Sequence, residues 1–172
     1  MARRGLVALT LALGLLLGSP SASAADGGQA LANLVASATG LARIYDETLA
    51  SAAAARTADA DFVHADLDAY GLGAWSWGEV IAWNRGYADL SAASAAAVAG
   101  WMSSDPHLTI LTDPAYLRIG CDHRLVPDPN VGGDDDADDA PYDYFVCIVG
   151  TPGGLIGPPI VDELPDTAME AR

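Results

Sequence analysis

Apolar residues recur at helical spacing in three segments of the chain. In residues 29–38 they follow the i, i+3, i+4 pattern of one helix face. Residues 46–58 are rich in alanine, which favours helix strongly, and Asp46 is a suitable N-cap for that segment. Residues 91–102 repeat the helical pattern after Ser91, which is a second candidate cap. The pattern therefore predicts three helices.

Strand patterns occupy the spaces between and after these helices. Aromatic and β-branched residues in 75–83, alternation in 116–126 and the apolar segment 142–149 each predict a strand. A Pro-containing break comes before residues 107–111, which are predicted to form a short helix. Residues 59–73 predict a loop with one helical turn. The chain is thus predicted to combine helices with three strands.

The first 24 residues have the pattern of a secretory signal peptide. Arg3 and Arg4 precede an apolar run at 6–17, and small residues lead up to a cleavage site after Ala24. The run is about 12 residues long, which is too short for a membrane-spanning helix of roughly 20 residues. We therefore predict a secreted protein without a membrane span, and an N-terminal anchor helix is the alternative.

Charge argues against two classes of partner, and length limits the number of domains. The chain carries 23 acidic and 8 basic residues, for a net charge of −15. Such a surface repels phosphate groups, so the sequence argues against nucleic acid and against anionic lipid as partners. Residues 25–150 suit a single domain. Residues 151–172, rich in proline and acidic side chains, predict a weakly ordered extended tail.

Two motifs resemble the bacterial branch of the CAP superfamily, also called the SCP-like extracellular domain. Residues 98–111 contain Trp-Met-Ser-Ser-Asp-Pro-His and resemble the end of a family helix and the segment after it. Residues 78–82, Gly-Glu-Val-Ile-Ala, resemble the Gly-Glu-Asn-Ile-Ala element of the family, and His64 precedes them in the family's order. The likeness covers about residues 30–150. It implies an α+β fold, a three-layer α-β-α sandwich with a small antiparallel sheet.

The resemblance also implies a cleft and its residues. His64, Glu79 and His107 match cleft positions of the family, and Ser104 stands where a second acidic residue is often found. We therefore expect a secreted, monomeric protein that binds a small apolar ligand, a lipid or a component of the cell envelope there. A non-catalytic interaction module is one alternative. Purely structural roles for these residues, such as capping or solvent contact, remain open.

The same residue types are suitable for catalysis or for metal binding. Two imidazoles and one carboxylate, from His64, His107 and Glu79, are ligands that suit Zn²⁺ with an open position. A metal-dependent extracellular hydrolase is therefore a further alternative. Ser104, His107 and Glu79 also have the residue types of a Ser-His-acid triad, although the chain has no Gly-x-Ser-x-Gly elbow.

Three other features carry predictions. Cys121 and Cys147 lie on strands that should be antiparallel neighbours. Because an exported protein folds in an oxidising environment, we expect a disulfide between them. Two buried thiols are the alternative. His123 is expected to be a solvated strand residue. The four tryptophans are expected mainly in the core, with a lining role in an apolar groove as the alternative.

An acidic loop separates the last two predicted strands. Its alternate oxygen-bearing side chains resemble a calcium loop, although the usual bidentate glutamate is absent and strands flank the segment. A solvated acidic loop is the simpler interpretation. The candidate Ca²⁺ ligands are Asp128, Asn130, Asp134, Asp136 and Asp138.

Overall fold

A computed structural model describes residues 24–127, 141–153 and 168–170. The predicted signal peptide, all five candidate Ca²⁺ ligands and most of the predicted tail lie outside these residues. The described elements are α1 (Ala24–Thr39), β1 (Ile44–Tyr45), α2 (Glu47–Asp59), a 3-10 turn (Leu67–Tyr70), β2 (Trp75–Arg85), α3 (Leu90–Ser103), α4 (Asp105–Thr112), β3 (Arg118–Val126), β4 (Tyr142–Pro152) and β5 (Ala168–Glu170).

The described strands form one mixed sheet in the order β1-β3-β4-β2-β5. The three long strands, β3, β4 and β2, are antiparallel, as predicted. Both edge strands are short and pair in parallel, β1 with β3 and β5 with β2. β5 comes from the predicted tail, where three residues are too few to show a strand pattern in the sequence.

Helices cover both faces of the sheet, which confirms the three-layer α-β-α architecture. Alternation along β4 sends Phe145 and Cys147 into a core shared with α1, α3 and α4. Tyr144 and Val146 point the opposite way, into a core shared with α2 and the 3-10 turn. Glu79, the centre of the site described below, also points to the α2 side, because alternate residues of β2 face α2.

Helix caps follow the local sequence with one correction. Asp46 caps α2 as predicted, since its carboxylate accepts from the amides of Thr48 and Leu49. The cap of α3 is Asp89 and not Ser91, because the Asp89 carboxylate accepts from the Ala92 amide at 2.9 Å. A carboxylate at this position also interacts favourably with the helix dipole.

The predicted disulfide is confirmed. Cys121 and Cys147 are directly opposite each other on β3 and β4, with Cα atoms 4.1 Å apart, and their sulfurs are bonded. Both cysteines are buried. The bond therefore ties the two strands together in the core beneath α1, α3 and α4.

The tryptophans supply core volume, as predicted. Trp101 is buried, and its indole N–H donates to the carbonyl oxygen of Ile81 at 2.8 Å. Trp77 is also buried, whereas Trp75 and Trp83 are partly exposed and pack against the core on the α2 side. The Trp101 contact ties α3 to the backbone of β2.

Candidate functional site

A buried carboxylate, that of Glu79, forms the centre of the site. Glu79 lies in the middle of β2, and only 3% of the residue is accessible. Its neighbours two residues away, Trp77 and Ile81, belong to the core on the α2 side. Strand alternation thus places a charged group where an apolar side chain is expected. Burying such a charge is costly unless it is paired and hydrogen-bonded.

Arg56 of α2 provides the opposite charge. Its Nε donates to Oε1 of Glu79 at 2.8 Å, with both side chains almost completely buried. Its Nη2 donates to the backbone carbonyls of Asp61, at 3.4 Å, and of Val63. Burial disfavours the guanidinium charge, but attraction to Glu79 outweighs this effect, and the pKa of Arg56 is raised. The arginine is therefore a fixed cation beneath the site.

The role of Arg56 was missed by the sequence analysis, although the chain carries a signal for it. Arg56 follows Leu49, Ala52 and Ala53 at helical spacing, so it belongs to the buried face of α2. An arginine on such a face requires an anionic partner. The sequence offers many carboxylates, and only the folded chain identifies Glu79 as the partner.

His64 lies in the loop after α2 and completes a chain of hydrogen bonds. Its Nδ1 is 2.9 Å from Oε2 of Glu79, and the Ala65 amide donates to the same oxygen at 3.4 Å. Because an ionised carboxylate only accepts, the imidazole Nδ1–H is the donor. The other ring nitrogen, Nε2, is buried and has no hydrogen-bond partner among the described residues.

His107 brings a second imidazole to the same place from α4. Its ring centre is 6.3 Å from that of His64. The residue is 2% exposed, and its Nδ1 also has no hydrogen-bond partner among the described residues. Burial, followed by repulsion from His64, lowers the pKa of His107 to about 4. The ring is therefore neutral at neutral pH.

The three side chains with the residue types of a Ser-His-acid triad are not joined as one by hydrogen bonds among the described residues. Ser104 ends α3 and begins α4, where it is half-buried, and no hydrogen bond joins it to His107 within the described parts of the chain. The carboxylate of Glu79 is hydrogen-bonded to Arg56 and His64, and Nδ1 of His107 has no hydrogen-bond partner among the described residues. Glu79, the acid of the triad hypothesis, thus orients His64 and not His107.

The described residues do not complete a three-ligand zinc site. Among them, no group of three or more His, Cys, Asp and Glu side chains is arranged to hold a metal ion. Both oxygens of Glu79 already accept hydrogen bonds, from Arg56 and from His64. The unpartnered nitrogens of His64 and His107 are suitable metal donors, but they number two, whereas a catalytic zinc site usually has three protein ligands.

The third histidine lies elsewhere in the structure. His123 of β3 was expected to be solvated, but its Nε2 is 2.7 Å from Oδ1 of Asp143, and its ring packs against Phe145 with centres 4.8 Å apart. The partner is on the neighbouring strand β4, which the sequence pattern of β3 alone does not reveal. His123 therefore has a structural role between the two strands.

Comparisons with known proteins agree with this architecture. No curated protein sequence matches the chain significantly. Among solved structures, the chain is similar to an outer surface protein from Borrelia burgdorferi, with a TM-score of 0.50 and 16% identity over 72% of this chain and 93% of that one. At such low identity the likeness shows the fold alone. The sequence profile of the cysteine-rich secretory protein (CAP) family matches residues 30–149, and the chain belongs to that family.

Proposed function

We propose that this chain is an extracellular binding protein whose cleft, framed by His64, Glu79 and His107, holds a polar group of its ligand. The observation that carries the proposal is the pair of buried imidazole nitrogens without partners among the described residues, His64 Nε2 and His107 Nδ1. A buried polar atom without a partner costs about 1–3 kcal/mol. A ligand group that reaches both atoms removes that cost, which gives the cleft a source of affinity.

The location follows from family membership and from the predicted signal peptide. An extracellular CAP-type domain meets lipids and other envelope components, and these carry hydroxyl, amide and ammonium groups. The net charge of −15 disfavours anionic lipid. None of the described helices is long and apolar enough to cross a membrane. We therefore favour a neutral or zwitterionic envelope component as the ligand.

Two soluble probes represent the two ligand sources. Di-N-acetylchitobiose, a neutral sugar, represents the cell-wall glycan, and dihexanoyl phosphatidylethanolamine, whose ammonium group donates hydrogen bonds, represents zwitterionic lipid. Each is titrated into protein with ¹⁵N-labelled histidine, up to about 10 mM, which detects even millimolar dissociation constants. We expect one of them to shift the imidazole signals of His64 and His107 together.

His123 provides an internal control, since its imidazole is already bonded to Asp143 outside the cleft. His64→Ala should weaken binding of the active probe at least tenfold, and His123→Ala should leave the affinity unchanged. If neither probe moves the signals of His64 and His107, or if both variants lose affinity equally, the proposal is wrong.

A divalent metal is the second candidate ligand, supported by the same two nitrogens. Zn–N bonds are about 2.0–2.1 Å long. Two imidazoles bound to one ion in tetrahedral geometry therefore have ring centres about 1 Å closer to each other than the 6.3 Å observed between His64 and His107. The two rings must therefore approach each other slightly to hold an ion. Zn²⁺ binding with micromolar affinity that is lost in His107→Ala but kept in His123→Ala would support this candidate.

Hydrolysis in the same cleft is a weaker alternative. Among the described residues, Ser104 is not hydrogen-bonded to His107, and no third metal ligand accompanies the two histidines. Turnover of peptide or ester substrates that is abolished by Glu79→Ala would establish it.

An interaction module that uses the acidic loop remains the third alternative. Loss of Ca²⁺ affinity in Asp136→Ala would support it.

A further inference from the structure

The residues beneath the cleft decide which ring nitrogen of His64 faces a ligand. The Glu79 carboxylate receives Arg56 Nε on one oxygen and His64 Nδ1 on the other, at 2.8 and 2.9 Å. A carboxylate between a fixed cation and an imidazole favours the tautomer with the proton on Nδ1. The lone pair of a neutral His64 ring is then on Nε2, the atom without a partner among the described residues.

Arg56 also holds the backbone that carries His64. Its Nη2 donates to the carbonyl of Val63, the residue immediately before His64, and to that of Asp61. The ring of Tyr70 lies beside the guanidinium, 5.5 Å from its central carbon to the ring centre. One guanidinium thus links the carboxylate that binds the imidazole to the loop that presents it. The planar fork of arginine is suited to such a double contact.

The ion pair is buried more deeply than the histidine that it contacts. The side chains of Arg56 and Glu79 are 1% and 2% accessible, whereas that of His64 is 25% accessible. The charged pair is therefore shielded from water, while the His64 side chain is partly exposed, although its Nε2 is buried. Coulombic attraction between shielded charges is stronger than it is at the surface.

We infer that Arg56 is a positioning residue. Through Glu79 it holds His64 in the tautomer whose Nε2 accepts a hydrogen bond. The cleft therefore selects ligand groups that donate a hydrogen bond. This inference rests on the proposed function, because it names the chemical class of the ligand group that the cleft binds. Hydroxyl and ammonium groups qualify, whereas groups that only accept, such as a carboxylate or an ester carbonyl, do not satisfy Nε2.

The test measures the tautomer in the protein without ligand, so that it is independent of any probe. Two-bond ¹H–¹⁵N spectra are recorded at about pH 8.5, above the ordinary range of imidazole pKa values. For the wild-type protein we expect one tautomer of His64, with the proton on Nδ1. Arg56→Lys keeps the cation and should keep that tautomer. Arg56→Met removes the cation and also the donors to the Val63 and Asp61 carbonyls, so the loop should move His64 away from the carboxylate and produce signals of both tautomers.

A matched control uses another arginine–carboxylate pair. Arg118 binds Asp46, the cap of α2, at 2.7 Å but lies outside the cleft, so Arg118→Met should leave the His64 signals unchanged. If Arg56→Met does not fold, Arg56→Gln provides a second variant without the cation. A proton on Nε2 in the wild-type protein, mixed tautomers in Arg56→Lys, or a single Nδ1 tautomer in a folded variant without the cation overturns the inference. An Nδ1 tautomer in a protein that binds neither probe upholds it while contradicting the proposed function.

Discussion

Arg56 and Glu79 form a buried ion pair, 2.8 Å between Nε and Oε1, that joins helix α2 to the central part of strand β2. A pair of this kind costs free energy to desolvate and is stable only while both partners are present. The pair lies on the α2 side of the sheet, and the second carboxylate oxygen of Glu79 is hydrogen-bonded to His64. Stability and the geometry of the site therefore depend on the same two side chains.

Removal of one partner should be strongly destabilising. Arg56→Met leaves the Glu79 charge buried without its cation, and the free energy of unfolding should fall by about 3–5 kcal/mol. Urea denaturation at pH 7 measures the change. Arg118→Met, which breaks a partly exposed pair with Asp46, should cost less than about 1 kcal/mol. Equal losses in the two variants would contradict the view that burial makes the Arg56 pair critical.

Acidification should destabilise the fold through His107. The pKa of this residue falls from 6.5 to about 4 because burial disfavours the charged ring, with repulsion from His64 as the second cause. Between these two pH values the unfolded chain binds a proton at His107 that the folded chain does not. The contribution is therefore fully present above pH 6.5 and is lost as pH falls toward 4, up to about 3 kcal/mol.

This slope is measured by urea denaturation at several pH values between 7 and 4. Other groups also titrate in this range, so His107→Gln, which does not, isolates the effect of the imidazole. The unfolding free energy of the variant should fall less steeply with acidification than that of the wild-type protein. Parallel curves would show that His107 does not resist protonation in the folded state.

The disulfide should stabilise the folded state through its loop. Cys121 and Cys147 are 26 residues apart, and closure of a loop of that length contributes about 3 kcal/mol in the chain-entropy account. Reduction with dithiothreitol should lower the unfolding free energy by this amount. The double variant Cys121→Ala, Cys147→Ala provides the control, because its stability should not respond to the reductant. A response in that variant would assign the effect to something other than the bond.

Two adjacent glycines of α1 should respond in opposite ways to alanine. A Cβ at Gly28 would be 2.1 Å from the carbonyl oxygen of Cys121 and 2.9 Å from the hydroxyl of Tyr45, whereas a Cβ at Gly27 meets nothing within 4 Å. Gly28→Ala should force α1 away from β3 and cost about 1–3 kcal/mol or more. Gly27→Ala should be neutral or stabilise the helix by up to about 1 kcal/mol.

Thermal unfolding of these two variants distinguishes the effect of packing from that of helix propensity. If helix propensity alone acted, the melting temperature of both variants would rise. The close approach of α1 to β3 lowers it for Gly28→Ala only. A rise in both would show that the helix does not contact the strand at this position.

Local signals in the sequence predicted the elements well and their ends less well. Asp46 caps its helix because the cap depends on residues two and three positions further along the chain, which the sequence displays directly. The cap of α3 was assigned to Ser91 although Asp89 is nearby, because both residue types suit the position and the pattern does not decide between them. The short edge strands β1 and β5 were missed, because two or three residues carry no period.

The sequence by itself determined the helices, the long strands, the family resemblance and the cysteine pair. Each of these depends on residue order within one segment or on motifs that follow one another along the chain. Only the tertiary structure decided that Glu79 binds Arg56 and His64 and leaves Nδ1 of His107 without a partner among the described residues. The partner of a buried charge is the side chain that the packing of α2 on the sheet brings within hydrogen-bond distance. The sequence contains many candidate side chains, and their positions along the chain do not identify the one that is brought close.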